Sequence, residues 1–133
     1  MKHIAVGVDD SPGGRAALAW ALAEARQWDA RLEVVLAWSY LVQPIAEFRP
    51  DFDEAAAAEV LDKILGAHDL SGVAVERTIV NELPARALLR ASGTADLMVV
   101  GARGFGGFAG LLLGSVSQQV VTHAACPVVV VRG

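Results

Sequence analysis

The sequence predicts a single α/β domain of three layers, a five-stranded parallel sheet with four helices covering its two faces. Three observations predict it. Short apolar runs alternate with stretches of helical periodicity along the whole chain, in the order β-α-β-α-β-α-β-α-β. Most of the apolar runs are continuous, as strands covered on both faces are. The chain has 133 residues and is 54% hydrophobic, which suffices for one core and hardly for two.

The elements follow in order. Residues 4–8, Ile-Ala-Val-Gly-Val, form the first strand. Asp9, Asp10, Ser11 and Pro12 end it and open a helix, with Ser11 suited to the N-cap and Pro12 to the first turn. Leu18, Ala21, Leu22 and Ala25 carry that helix's apolar stripe. Residues 32–38 are the second strand, and residues 39–52, with Pro44, Pro50 and two phenylalanines, read as a long surface loop. Ala57, Val60, Leu61 and Ile64 give a second helical stripe that ends near Gly66. Residues 73–80 are a third strand, and Glu76, Arg77 and Thr78 make it polar enough for a sheet edge. Pro84 opens a third helix with Ala85, Leu88 and Leu89 on one face. A fourth strand at 97–100 leads into a glycine-rich loop at 101–110, a helix over about 112–124 and a last strand at 127–131. Right-handed crossovers between five such strands predict the flavodoxin-like order 2-1-3-4-5 or a close variant. Ligands of these folds lie at the carboxyl ends of the strands, where the strand order reverses. That rule directs attention to the loops at 9–14 and 101–115.

Charge and composition exclude several functions. Fifteen acidic residues against eleven basic ones leave a net charge of −4, which argues against nucleic acid. The imbalance is local. Residues 97–133 contain no Asp or Glu and two arginines, Arg103 and Arg132, so the first 96 residues carry −6. A small anion held by backbone amides is therefore compatible with the C-terminal part of the chain. One cysteine, Cys126, permits no internal disulfide and predicts a reducing compartment, the cytoplasm. No apolar run approaches membrane-spanning length, and the N-terminal residues run straight into a strand with no signal-peptide pattern. His3, His68, His123 and Cys126 lack metal-site spacing, and no Ser–His–Asp or Cys–His arrangement marks a catalytic nucleophile.

The segment 101–115 carries the chemistry. A lysine-dependent phosphate loop does not fit, since the chain's only lysines are Lys2 and Lys63. A dinucleotide fingerprint can be laid on Gly104, Gly106 and Ala109, but no acidic residue follows in the 24 residues after Ala109. A third pattern fits: Gly101, two residues, Gly104, nine residues, then Gly114 and Ser115. Gly101 and Gly104 allow backbone amides close to a phosphate, and Gly114-Ser115 opens a helix whose first amides and dipole attract an anion. The bland alternative is a glycine-rich loop with no ligand.

These residues resemble the universal stress protein family. The resemblance covers residues 1–133 as one nucleotide-binding domain. It is carried by the first strand through Asp9 and Ser11, by Ala95-Asp96 through Gly101 and Gly104, and by Leu111 through Val131 with Gly114, Ser115 and Val116. The glycine spacing is that of the family's ATP-binding branch. The resemblance implies a flavodoxin-like sheet ordered 3-2-1-4-5, often dimeric, that binds ATP or a related adenine nucleotide, with Mg²⁺ as a possible companion. It implies roles for Gly7 in lining the site, Asp9 at the ribose hydroxyls, and Ala37 at the adenine through its backbone. Val100, Gly101 and Gly104 would line ribose and phosphates, and Gly114, Ser115 and Val116 would hold the phosphates. A carboxylate accepting two vicinal hydroxyls suits Asp9, and Arg103 lies within reach of a phosphate. Two departures stand out. Asp10 replaces the family's usual glycine, and Asn81-Glu82-Leu83 precedes the third helix where a glycine is common, a change expected to be remote from the nucleotide.

The functional expectation is a nucleotide-binding regulatory protein of stress physiology. The alternatives are a slow ATPase or autokinase with Ser115 as acceptor, and a dimerising module that binds no nucleotide. The valine run at 127–131 would leave a flat apolar edge, which predicts a homodimer paired through that strand.

Overall fold

A computed structural model describes residues 1–103 and 113–133. Among them five strands and four helices alternate along the chain: β1 (His3–Gly7), α1 (Pro12–Trp28), β2 (Arg31–Trp38), α2 (Glu54–Gly66), β3 (Val75–Asn81), α3 (Pro84–Ser92), β4 (Leu97–Gly101), α4 (Ser115–His123) and β5 (Val128–Val131). All pairings are parallel, and the strand order is β3-β2-β1-β4-β5. This is the order implied by the resemblance, and it corrects the 2-1-3-4-5 order expected from strand count alone. The reason lies in β3. In 2-1-3-4-5 it would be an interior strand, yet Glu76 and Arg77 are exposed and could not be buried unpaired. At the edge beside β2, Arg31 meets Glu76 at 3.1 Å, and Arg77 pairs with Asp62 of α2.

Helices α1 and α2 start where a side chain satisfies a free amide. Ser11 caps α1 by accepting the amide of Gly14 at 3.0 Å, with Pro12 in the first turn. Asp29 ends α1 in the left-handed conformation, φ 51°. Asp53 caps α2 by accepting the amide of Ala56 at 2.9 Å. The fourth helix begins at Ser115, with Gly114 as its N-cap, later than the expected 112. On α3 the buried face carries Pro84, Ala87, Leu88 and Ser92. Ala85 and Leu89 are only half-buried, because the face toward the sheet is rotated by about one residue from the expected stripe.

Two cores flank the sheet. Ile4, Val6, Leu32, Val34, Leu36, Leu97 and Val99 point to α1 and α2. Ala5, Val35, Ala37, Met98 and Val100 point to the side of α3 and α4. The loop 39–52 is less superficial than its prolines imply. Phe52 is buried against Trp38 at a ring separation of 5.5 Å. The buried amide of Gln43 donates to the carbonyl of Arg49 at 2.7 Å and accepts its N–H at 2.8 Å.

Candidate functional site

The strand order reverses between β1 and β4, and a cleft opens there at the carboxyl ends of the strands. It is a concave site open to solvent. One wall comes from β2 and α3, through Val35, Ala37, Pro84 and Leu88. The opposite wall comes from the end of β4 and the start of α4, through Val100, Gly101, Arg103, Gly114, Ser115, Val116 and Ser117. Gly7, Val8, Asp9 and Gly14 line it between the two.

Every site residue expected from the sequence lines this cleft except Gly104, which lies outside the described residues. The sequence reading missed Val8, Gly14, Val35, Pro84, Leu88 and Ser117. A signal for Val35 was present: it lies two residues before Ala37 on a strand and so shares its face. Pro84 and Leu88 were placed on a helix, but a position four residues apart on the same face was read only as core. Because they line the cleft, the departure at Asn81-Glu82-Leu83 lies next to the site and not far from it: Leu83 is the N-cap of α3.

Backbone proximity shapes the phosphate-like end. The turn after β1 and the turn after β4 interlock, such that a Cβ on Gly101 would lie 2.6 Å from the carbonyl oxygen of Gly13. Both glycines are needed for that approach. Ala102 then donates to Val131 and accepts from the amide of Gly114, each at 2.8 Å. The buried Ser117 hydroxyl donates to the Gly101 carbonyl. These bonds fix the start of α4 against the end of β4. Gly114 has no side chain with which to cap α4, so the helix presents its first amides uncapped by their own N-cap residue.

Asp9 is the acidic side chain of the cleft. It is only 5% exposed, and its Oδ1 accepts the Ser11 amide at 3.0 Å and the Ser11 hydroxyl. Burial raises its carboxyl above the ordinary value, and the bonds from Ser11 pull the other way without cancelling it. Asp10 behaves differently. It is exposed and lies 3.4 Å from Arg15, so its charge has a local partner. Arg103 lines the cleft half-buried. Among the described residues no group of three or more His, Cys, Asp or Glu side chains could hold a metal ion. His123 is exposed in the last turn of α4, and Cys126 is half-buried rather than fully buried. No helix among the described residues is long and apolar enough to cross a membrane.

Fold and cleft together define the class: a flavodoxin-like α/β protein with a cleft at the switch point of its sheet. The chain belongs to the universal stress protein family, whose family model matches residues 1–132. It is 38% identical over 136 residues to universal stress protein Rv2623 of Mycobacterium tuberculosis, covering 97% of this chain and 44% of that protein. The chain thus spans less than half the length of such mycobacterial relatives. It is 40% identical over 140 residues to a Thermus aquaticus universal stress protein, covering 99% of each. Among solved structures it resembles a universal stress protein in complex with cAMP, with a TM-score of 0.69, 28% identity and coverage of 98% of this chain and 95% of that one. It shares its fold with a universal stress protein from Archaeoglobus fulgidus in complex with dAMP, with a TM-score of 0.71, 23% identity and coverage of 98% and 97%.

Proposed function

We propose that this chain is a regulatory stress-response protein, one domain over residues 1–133, that binds an adenine nucleotide, with ATP as the preferred ligand. One observation carries the reading: the cleft joins an apolar slot, a buried carboxylate and a helix start whose N-cap, Gly114, has no side chain, within one site. These are the three chemistries that a base, a ribose and a phosphate chain require. The cAMP-bound relative supports a nucleotide of this class. Val35 and Ala37 offer an apolar face and a backbone edge to the base. Asp9 accepts the two ribose hydroxyls. The amides of Ser115 and Val116 hold phosphate, with Gly101 and Arg103 beside them. Mg²⁺ accompanying the nucleotide would neutralise phosphate charge; of the two carboxylates after β1, Asp10 meets Arg15 and Asp9 accepts from Ser11.

The site supports binding and regulation rather than turnover. Its titratable side chains among the described residues are Asp9 and Arg103, and Asp9 is already engaged by Ser11. The same reading includes a cytoplasmic location and a homodimer paired through β5, whose valines are all half-buried at the sheet edge.

The test is nucleotide release from the purified protein, read by ultraviolet absorbance and mass spectrometry, with a thermal shift alongside. At a hundredfold excess over Kd, ATP should raise the melting temperature by roughly 10 °C. The double variant Gly114→Ala, Ser115→Ala should lose that shift. Absence of both co-purified nucleotide and any shift would sink the reading. Labelled ATP with Mg²⁺ separates binding from hydrolysis or autophosphorylation.

A further inference from the structure

We propose that Leu88 is a specificity-determining residue that sets the depth of the apolar end of the cleft, and that Gly7 sets the position of Leu88. The proposal rests on the nucleotide reading above for the identity of the ligand, though not for the geometry.

Leu88 is 5% exposed and reaches from α3 across to β1. There its isopropyl end lies directly over Gly7. A Cβ on Gly7 would come within 2.8 Å of both Leu88 methyl carbons, so close that the end of the leucine side chain would have to shift. The missing side chain of Gly7 is thus the space that Leu88 occupies. Gly7 pairs with Val35 across the sheet, and Val35, Ala37, Pro84 and Val100 line the same end of the cleft. Among the described residues none of these side chains is charged, so the limit on ring size at this end rests on shape. Leu88 belongs to the core on the α3 side of the sheet and also lines the cleft, so a displacement of its methyls away from Gly7 changes the cleft wall. A methyl group added at Gly7 therefore drives Leu88 into the slot, and a methyl group removed from Leu88 deepens the slot. One methylene in an apolar pocket discriminates between ligands by roughly 10- to 200-fold. The pair thus limits how large a ring, with its substituents, the site accepts.

The experiment measures binding of ATP and of two enlarged analogues by calorimetry. One analogue carries a benzyl group on the exocyclic amine of adenine, the other a methylthio group on the carbon between the pyrimidine nitrogens. Leu88→Ala should improve at least one analogue relative to ATP by about tenfold or more. Gly7→Ala should weaken ATP by a similar factor, and adding Leu88→Ala to Gly7→Ala should recover most of that loss. If the two single substitutions act additively, or Leu88→Ala affects ATP and both analogues equally, the proposal is wrong. Where Leu88→Ala does not fold, Leu88→Val carries the same comparison. A ligand-free measurement decides the geometry alone: the ¹³C shifts of the Leu88 methyls, which report its rotamer, should change in Gly7→Ala. Unchanged shifts overturn the proposal even if ATP binds. Changed shifts in a protein that binds no nucleotide overturn the nucleotide reading and keep Leu88 as the residue that sets the slot.

Discussion

Burial of Asp9 carries a cost in stability, and the proposed reading gives the same carboxylate a part in binding. Its carboxyl is buried and raised, so folding of the unliganded protein is penalised where Asp9 is ionised. The sign follows from the proton count. Between the ordinary carboxyl value of 3.8 and the raised one, the folded state holds more protons than the unfolded state. This contribution to stability therefore falls as pH rises through that window and stays at its lowest above it. Asp9→Asn keeps an acceptor for Ser11 while removing the buried charge. It should leave the melting temperature at neutral pH unchanged or raised, yet weaken ATP binding. The paired measurements are thermal melts and calorimetry; a large loss of stability would contradict the argument. In the wild type, ATP affinity should fall as pH drops through the raised value, since a protonated Asp9 accepts fewer hydroxyls. Asp29 makes a separate test. It holds a left-handed conformation at the C-terminus of α1, where a negative charge also opposes the helix dipole. Asp29→Gly should stabilise the protein by about 0.5–1 kcal/mol in urea unfolding.

At the level of elements, α2 is held at its start by Asp53 and entered through the loop anchored by Phe52. Asp53→Ala should cost about 1 kcal/mol, measured by denaturant unfolding. Strand β1 is tied to the turn before β4 by Asp96, which accepts the amides of Lys2 and His3, each at 2.9 Å. Those bonds lower its carboxyl, so its contribution to stability is present above the ordinary value and is lost as acid carries the pH down through the lowered one. Asp96→Ala should remove that acid dependence and speed exchange of the His3 amide. The elements themselves were largely legible from the sequence. Ser11-Pro12 marks the start of α1, and continuous valines mark the buried strands. The apolar face of α3 was less legible, because a nine-residue helix with two arginines leaves its stripe ambiguous by one position. The loop 39–52 was misread as superficial because burial of Phe52 depends on Trp38, a contact that no local pattern reveals.

For the whole molecule, the strand order was the point at which counting failed and polarity succeeded. Glu76 and Arg77 already assign β3 to an edge, and an edge position for β3 excludes 2-1-3-4-5. The site was legible through its glycines and Asp9, whose spacing local motifs preserve. It was not legible on the side of α3, since Leu88 meets Gly7 only through tertiary packing. The opposite edge, β5, yields a prediction at this scale. Val130→Lys should reduce self-association in sedimentation if β5 pairs with a second copy, while leaving ATP binding in place.

The buried carboxylate of Asp9 also bears on how long the protein survives. A ligand that donates two hydroxyls to Asp9 would relieve a penalty that the empty protein carries, and that relief is part of the mass-action stabilisation of binding. The empty form unfolds more often, and proteases act on what unfolds. Abundance would then follow nucleotide supply after synthesis, without any change in gene expression. A pulse-chase of wild type and Asp9→Asn under nucleotide depletion reads this directly: the wild type should decay faster when depleted, and the variant should decay at one rate in both conditions.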